Sequence, residues 1–241
     1  MIVAIDAGNS RIKWGVHDGD GWLNSGVLAT ADVASLAEVA AQWPANARGV
    51  ACNVAGSTVA DSISRLFAGR HAALSFLHAS AAACGVRSRY ENPQQLGADR
   101  WAALIGARAV LGSACLVVCA GTATTVDHLD AAGVFAGGLI LPGFDLMRAA
   151  LARNTAQLPL AEGVFCAQPR NTMDAIVSGC LQAQLGAVER MFHALVDEPD
   201  ARCLLTGGGA RRLAAHLKIP CQLMDNLILD GLLRFAASPG R

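Results

Sequence analysis

Ile2-Val3-Ala4-Ile5-Asp6-Ala7-Gly8-Asn9-Ser10 opens the chain, and Leu116-Val117-Val118-Cys119-Ala120-Gly121-Thr122-Ala123 repeats its pattern in the second half. Each stretch is an apolar run ending in a small-residue turn, which reads as a buried strand entering a tight loop. Glycine at the turn lets the backbone approach a ligand, and the exposed N–H groups suit phosphate oxygens. Downstream of the first stretch, Ile12, Trp14 and Val16 alternate with Arg11, Lys13 and Gly15, as on a half-buried strand. Asp18-Gly19-Asp20-Gly21 makes a turn, and residues 22–27 return as a third strand. Helices are expected over 31–43 and 59–67, with strands over 49–54 and 73–77. After the second stretch come strands 124–130 and 134–140, helices 144–153 and 173–196, and strand 203–206 before Gly207-Gly208-Gly209. Val177, Leu181, Leu185, Val188, Phe192 and Leu195 recur at helical spacing in the longest of these. Two copies of strand, glycine turn and strand predict a duplicated, two-lobed α/β fold, with lobes at 1–112 and 113–241.

Composition narrows the partners. The formal charge is zero, so no basic excess points to nucleic acid or an anionic membrane. The eight cysteines include no C-x-x-C pair and show no zinc-type histidine spacing. Cys52, Cys115, Cys119 and Cys203 sit in or beside apolar runs, as small buried hydrophobes do. The start reaches Asp6 too soon for a signal peptide, and no long uncharged apolar span is present. A reducing cytoplasm is the simplest expectation.

In the first loop, Gly8 offers close backbone approach, while Asn9 and Ser10 add neutral donors. Asp6 could hold a hydrated Mg²⁺, and Lys13 could place positive charge near a transferring phosphate. An ordinary β-turn is the alternative, weakened because Gly121-Thr122-Ala123-Thr124-Thr125 repeats the device. Farther on, Tyr90-Glu91-Asn92-Pro93 precedes Leu96-Gly97-Ala98-Asp99-Arg100, which opens a helix whose stripe is Trp101, Leu104, Ile105 and Leu111. Asp99 can be read as a dipole-favoured first-turn carboxylate and Arg100 as a surface charge. The sharper alternative makes Asp99 the acceptor of a hydroxyl proton and Arg100 a bidentate holder of a substrate carboxylate.

DAGNSRIKWG, YENPQQLGADRW, GTATTVD, GGLILPG, LLTGGGA and NLILDGL together resemble the type III pantothenate kinases nearly end to end. The resemblance implies two ribonuclease H-like lobes of the acetate kinase/Hsp70/actin class of actin-like ATPase folds. It also implies ATP-dependent phosphorylation of pantothenate in coenzyme A synthesis, Mg²⁺, a monovalent cation such as K⁺ or NH₄⁺, and a homodimer. By the same likeness, Asp6, Ala7, Gly8, Asn9, Ser10, Arg11, Ile12 and Lys13 form the first ATP loop. Gly121, Thr122, Ala123, Thr124 and Thr125 form the second, and Gly207 and Gly208 lie on the adenosine side. Asp99 matches the general base. Tyr90, Gly97, Ala98 and Arg100 fall at pantothenate positions, with Thr172 supplied by the partner subunit. Asp127 is the candidate ligand for the monovalent cation.

One position departs from the family. Its second loop begins with aspartate, where this chain has Cys119. A thiol is a poor ligand for a hard cation, so any metal role of that carboxylate is lost or moved. The competing expectation is a catalytically impaired member of the family acting as a regulatory accessory protein.

Overall fold

The computed structural model describes residues 1–68, 70, 73–160 and 162–238; the last three residues of the expected second lobe lie outside these. The chain divides into two compact units, Met1–Val110 with Asn226–Arg241, and Leu111–Asp225.

In the first unit, β1 (Ile2–Ala7), β2 (Arg11–His17) and β3 (Trp22–Ala29) form an antiparallel meander. A short helical turn leads to α1 (Leu36–Ala40), followed by β4 (Arg48–Asn53), α2 (Ser57–Ala68) and β5 (Leu74–Phe76). β4 pairs parallel to β1 and β5 parallel to β4, giving the sheet order β3-β2-β1-β4-β5. Ile5, Ile12, Leu36 and Ile63 are wholly inaccessible in its core, where Trp14 and Trp43 pack at 5.8 Å. The hairpin β6 (Ala82–Ala83) and β7 (Val86–Ser88) precedes α3 (Ala98–Val110).

In the second unit, β8 (Cys115–Ala120), β9 (Ala123–Leu129) and β10 (Val134–Pro142) form another antiparallel meander. α4 (Phe144–Asn154) and α5 (Thr172–Phe192) follow, then β11 (Arg202–Thr206), α6 (Ala210–Ala214) and β12 (Cys221–Leu223). β11 runs parallel to both β8 and β12, so the order is β12-β11-β8-β9-β10. Leu116, Val118, Ala120 and Val126 face α5, and Leu181, Leu185 and Val188 complete that core.

The final helix, α7 (Leu227–Ala237), returns to the first unit and packs on α3. Gly106 and Gly231 make this possible. A Cβ on Gly231 would strike the Ala102 carbonyl, and one on Gly106 the Leu227 carbonyl. Trp22 Nε1 donates to Asp230 Oδ1 at 3.1 Å, tying α7 to β3 as well. The expected second lobe, 113–241, is corrected accordingly: residues 226–238 belong with the first unit.

Two helices also differ from expectation. The helix expected over 31–43 is a 3₁₀ turn at Thr30–Ser35, broken at Asp32, followed by the five residues of α1. Thr30 is held instead by the first loop, its N–H donating to the Ser10 carbonyl and its hydroxyl to that of Gly8. The helix expected over 173–196 is α5, ending at Phe192, with a 3₁₀ turn at His193–Leu195.

Candidate active site

The two glycine loops are built alike but not identically. Asp6 and Cys119 each stand one residue before the end of their strand, followed by Ala7-Gly8 and Ala120-Gly121. Gly8 N–H closes the first loop on the Arg11 carbonyl at 3.0 Å; Gly121 N–H closes the second on Ala123 at 2.9 Å. Asp6 lies opposite Lys13 across β1 and β2, whereas Cys119 lies opposite Thr125 across β8 and β9. A carboxylate–ammonium pairing in the first loop thus has a thiol and a hydroxyl as its counterpart.

Asp6 is the electrostatic centre of the first unit's site. Burial pushes its pKa up to about 7, and the nearby Asp99 charge pushes in the same direction. A hydrogen bond from Cys52 and the charge of Lys13 pull it down by less. A buried carboxylate raised in this way beside a second acidic side chain is an environment a divalent cation would relieve, so the Asp6 oxygens fit Mg²⁺. Cys52 is wholly buried on β4, directly beside Asp6 on β1, and its Sγ donates to Asp6 Oδ1 at 3.4 Å. Thr30 supports the loop from the other side, its hydroxyl 2.6 Å from the Gly8 carbonyl oxygen.

Asp99 stands in the first turn of α3, and its Oδ1 accepts the Arg100 N–H at 2.8 Å. A Cβ on Gly97 would come within 2.6 Å of that same oxygen, so glycine here leaves Asp99 its rotamer. Arg100 is buried; its Nη1 donates to Tyr90 Oη at 3.0 Å, and its guanidinium lies 5.7 Å from the Tyr90 ring centroid. Asn92 positions the preceding segment by accepting the Gln94 N–H. Asp6, Lys13, Asp99, Arg100, Tyr90 and Gly97 therefore all belong to one unit, with Asp6 and Asp99 in electrostatic contact.

The second unit draws 121–125 and 207–209 together. Gly209 N–H donates to the Ala120 carbonyl at 2.9 Å, and Gly143 N–H to that of Thr122 at 2.8 Å. Thr124 donates its hydroxyl to the buried Gln184 Oε1 at 3.0 Å, while Gln184 Nε2 donates to the Pro142 carbonyl at 3.4 Å. Alternation places Thr125 and Asp127 on the sheet face opposite α5. Asp127 is wholly inaccessible, and Thr125 Oγ1 is buried with no hydrogen-bond partner among the described residues. A carboxylate and a hydroxyl on one face are oxygen donors of the kind a hard monovalent cation takes. No group of three or more histidine, cysteine or acidic side chains able to hold a metal exists among the described residues.

Thr172 is exposed at the start of α5, after the cap Asn171, whose Oδ1 accepts the Asp174 N–H at 2.9 Å. A cavity of about 500 Å³ is lined by residues that include Phe144, Arg148, Arg212 and His216. The helices bearing Phe144 and Arg212 start at the Gly143 and Gly209 anchors. The sequence reading missed Thr30, Cys52 and Gln184 as supports of the loops. Only Gln184 left a signal, a polar residue on the buried stripe of a long helix.

A duplicated α/β fold with a glycine loop closing each meander, and acidic residues at one of them, defines the actin-like class of ATPases and sugar kinases. The fold is shared with a putative Baf family transcriptional activator from Campylobacter jejuni, at TM-score 0.66, 20% identity and coverage of 97% of this chain and 96% of that one. It is also shared with a putative 2-dehydro-3-deoxygalactonokinase from Sinorhizobium meliloti, at TM-score 0.64, 17% identity and 98% coverage of both chains. The family model for type III pantothenate kinase matches residues 2–194. A type III pantothenate kinase of Aromatoleum aromaticum is 59% identical over 232 residues, covering 96% of each chain. The chain belongs to the type III pantothenate kinase family.

Proposed function

We propose that this enzyme transfers the γ-phosphate of ATP to the primary alcohol of pantothenate, giving 4′-phosphopantothenate for coenzyme A synthesis. The observation that carries the reading is the Asp6–Asp99 pair beside the buried Arg100, in a chain with full-length kinase relatives. Asp99 accepts the proton of the attacking hydroxyl as the new oxygen–phosphorus bond forms and the bond from the γ-phosphorus to the β–γ bridging oxygen breaks, releasing ADP. Arg100, steadied by Tyr90, holds the pantothenate carboxylate, and Gly97 and Ala98 leave room beside it. Gly8, Asn9 and Ser10 present donors to phosphate oxygens, and Lys13 adds positive charge where negative charge spreads in the transition state. Gly121 to Thr125 grip phosphate oxygens in the second unit, and Gly207 and Gly208, with the cavity at Phe144 and Arg212, take the adenosine.

Bound Mg²⁺ supplies charge neutralisation for the transferring phosphoryl group. Asp6 would hold it, and Asp127 and Thr125 would hold K⁺ or NH₄⁺. The family's dimer would bring Thr172 of one subunit to the pantothenate site of the other, and a cytoplasmic location suits the reaction. No helix among the described residues is long and apolar enough to cross a membrane.

The test is a coupled assay with ATP, pantothenate, Mg²⁺ and K⁺. Wild type should turn over, and Asp99→Asn should lose turnover by about 10²–10⁴-fold while still binding pantothenate. A folded Asp99→Asn enzyme with near-normal turnover would remove Asp99 from the role of base.

A further inference from the structure

An aspartate side chain turns freely about its last torsion, where the energy wells are broad. Asp6 has to present its carboxylate in one direction, so neighbouring groups must set that direction. Its cross-strand neighbour Lys13 supplies charge from β2. Its neighbour on the other side is Cys52, at the same register position on the parallel strand β4. The Cys52 side chain has no accessible surface, and its thiol donates to Asp6 Oδ1 at 3.4 Å.

A thiol is well matched to that place. It is a weak donor and a small apolar group, so it fits among the core residues of β4 and fixes one carboxylate oxygen. A lysine or arginine there would form an ion pair and compete with a cation for the same charge. The thiol orients the carboxylate without neutralising it. Groups that stand behind a metal-binding carboxylate commonly act in this way.

We propose that Cys52 is a positioning residue: its S–H···O bond aims the Asp6 carboxylate for the divalent cation that accompanies the nucleotide. Cys52 itself touches neither substrate nor metal. The inference rests on the kinase reading of the first loop.

Three variants of the full chain test it. Cys52→Val fills the space without a donor, Cys52→Ala removes both, and Cys52→Ser keeps a donor. Mn²⁺ affinity, read by electron paramagnetic resonance with saturating ADP, should weaken roughly 10-fold or more in Cys52→Val and Cys52→Ala. The Mg²⁺ concentration for half-maximal turnover should rise in parallel, with a smaller change in kcat. Cys52→Ser should stay within about threefold of wild type, a loss small beside those expected for positioning groups. Cys52→Val binding Mn²⁺ as tightly as wild type overturns the proposal, and so does a folded Cys52→Ser as defective as Cys52→Val. If the valine variant does not fold, the S–H stretching band of Cys52, isolated as wild type minus Cys52→Ser, decides. It should shift to the position of an unbonded thiol in Asp6→Ala, which removes the accepting oxygen, and an unmoved band overturns the proposal. A wild-type enzyme that binds metal and nucleotide but does not phosphorylate pantothenate sinks the substrate assignment instead, leaving the metal and infrared measurements to judge Cys52.

Discussion

Gly97 and Asp6 show how single residues trade stability against function. A methyl group at position 97 would meet the free end of Asp99, not backbone, so the fold can absorb it while the carboxylate turns away. Gly97→Ala should therefore leave the melting temperature nearly unchanged and lower kcat by about 10²-fold, the scale of a misplaced catalytic group. Steady-state kinetics beside a melting curve checks both halves. At Asp6 the trade runs the other way. Its pKa rises from 3.8 in the unfolded chain to about 7, so the folded protein holds a proton that the unfolded chain releases. Metal-free stability should thus fall as pH rises from about 3.8 through about 7. Asp6→Asn should flatten that slope and raise the metal-free melting temperature at pH 8, yet abolish Mg²⁺-dependent turnover. An unchanged slope would mean that Asp6 is not the group being titrated. Asp6, Asp99 and Arg100 were legible in the sequence because each lies within a short motif. Cys52 and Thr30 were not, because each reaches its loop from a separate segment brought alongside only by sheet pairing.

At the scale of elements, the two loop hairpins differ by a coordinated pair, Asp6 with Lys13 against Cys119 with Thr125. Cys119→Asp alone would place a carboxylate opposite a hydroxyl, where Asp6 has a lysine. Cys119→Asp should lower stability in the absence of metal, and adding Thr125→Lys should recover part of the loss. The coupling in a double-mutant cycle should be about 0.5–3 kcal/mol, measured by denaturant unfolding. Additive effects would show that the two positions are independent. The Cys119 departure was visible in the sequence, but its Thr125 counterpart was not. The first loop spans four residues between the pairs Ala7–Ile12, the second three between Ala120–Thr124, so an alignment on glycine alone slips by one. The hairpin at 82–88, α6 and β12 were also illegible, being too short for a periodicity to form. The break at Asp32 has a similar cause, since Thr30 gives its polar groups to the first loop.

For the molecule as a whole, the proposed dimer makes a distinctive demand. If Thr172 acts on the partner's site, inactive Asp99→Asn and Thr172→Arg proteins should regain activity when co-refolded, because one intact site forms in each mixed dimer. Absence of rescue, with mixed dimers shown by mass spectrometry, would place Thr172 outside the site. The duplicated architecture was legible from the two glycine loops. The fate of α7 was not, because an amphipathic helix does not announce which surface it will cover. Its seat on α3 depends on Gly106 and Gly231, and Gly231→Ala should cost about 1–3 kcal/mol or more by overpacking.

That helix also sets the order in which the protein can be completed during synthesis. Residues 111–225 are enclosed in the sequence by the two segments of the first unit, so the second unit leaves the ribosome whole before the first can be finished. Until α7 is translated, the face of α3 at Gly106 lacks its cover. The N-terminal unit can therefore be completed only after all of the second unit has been made.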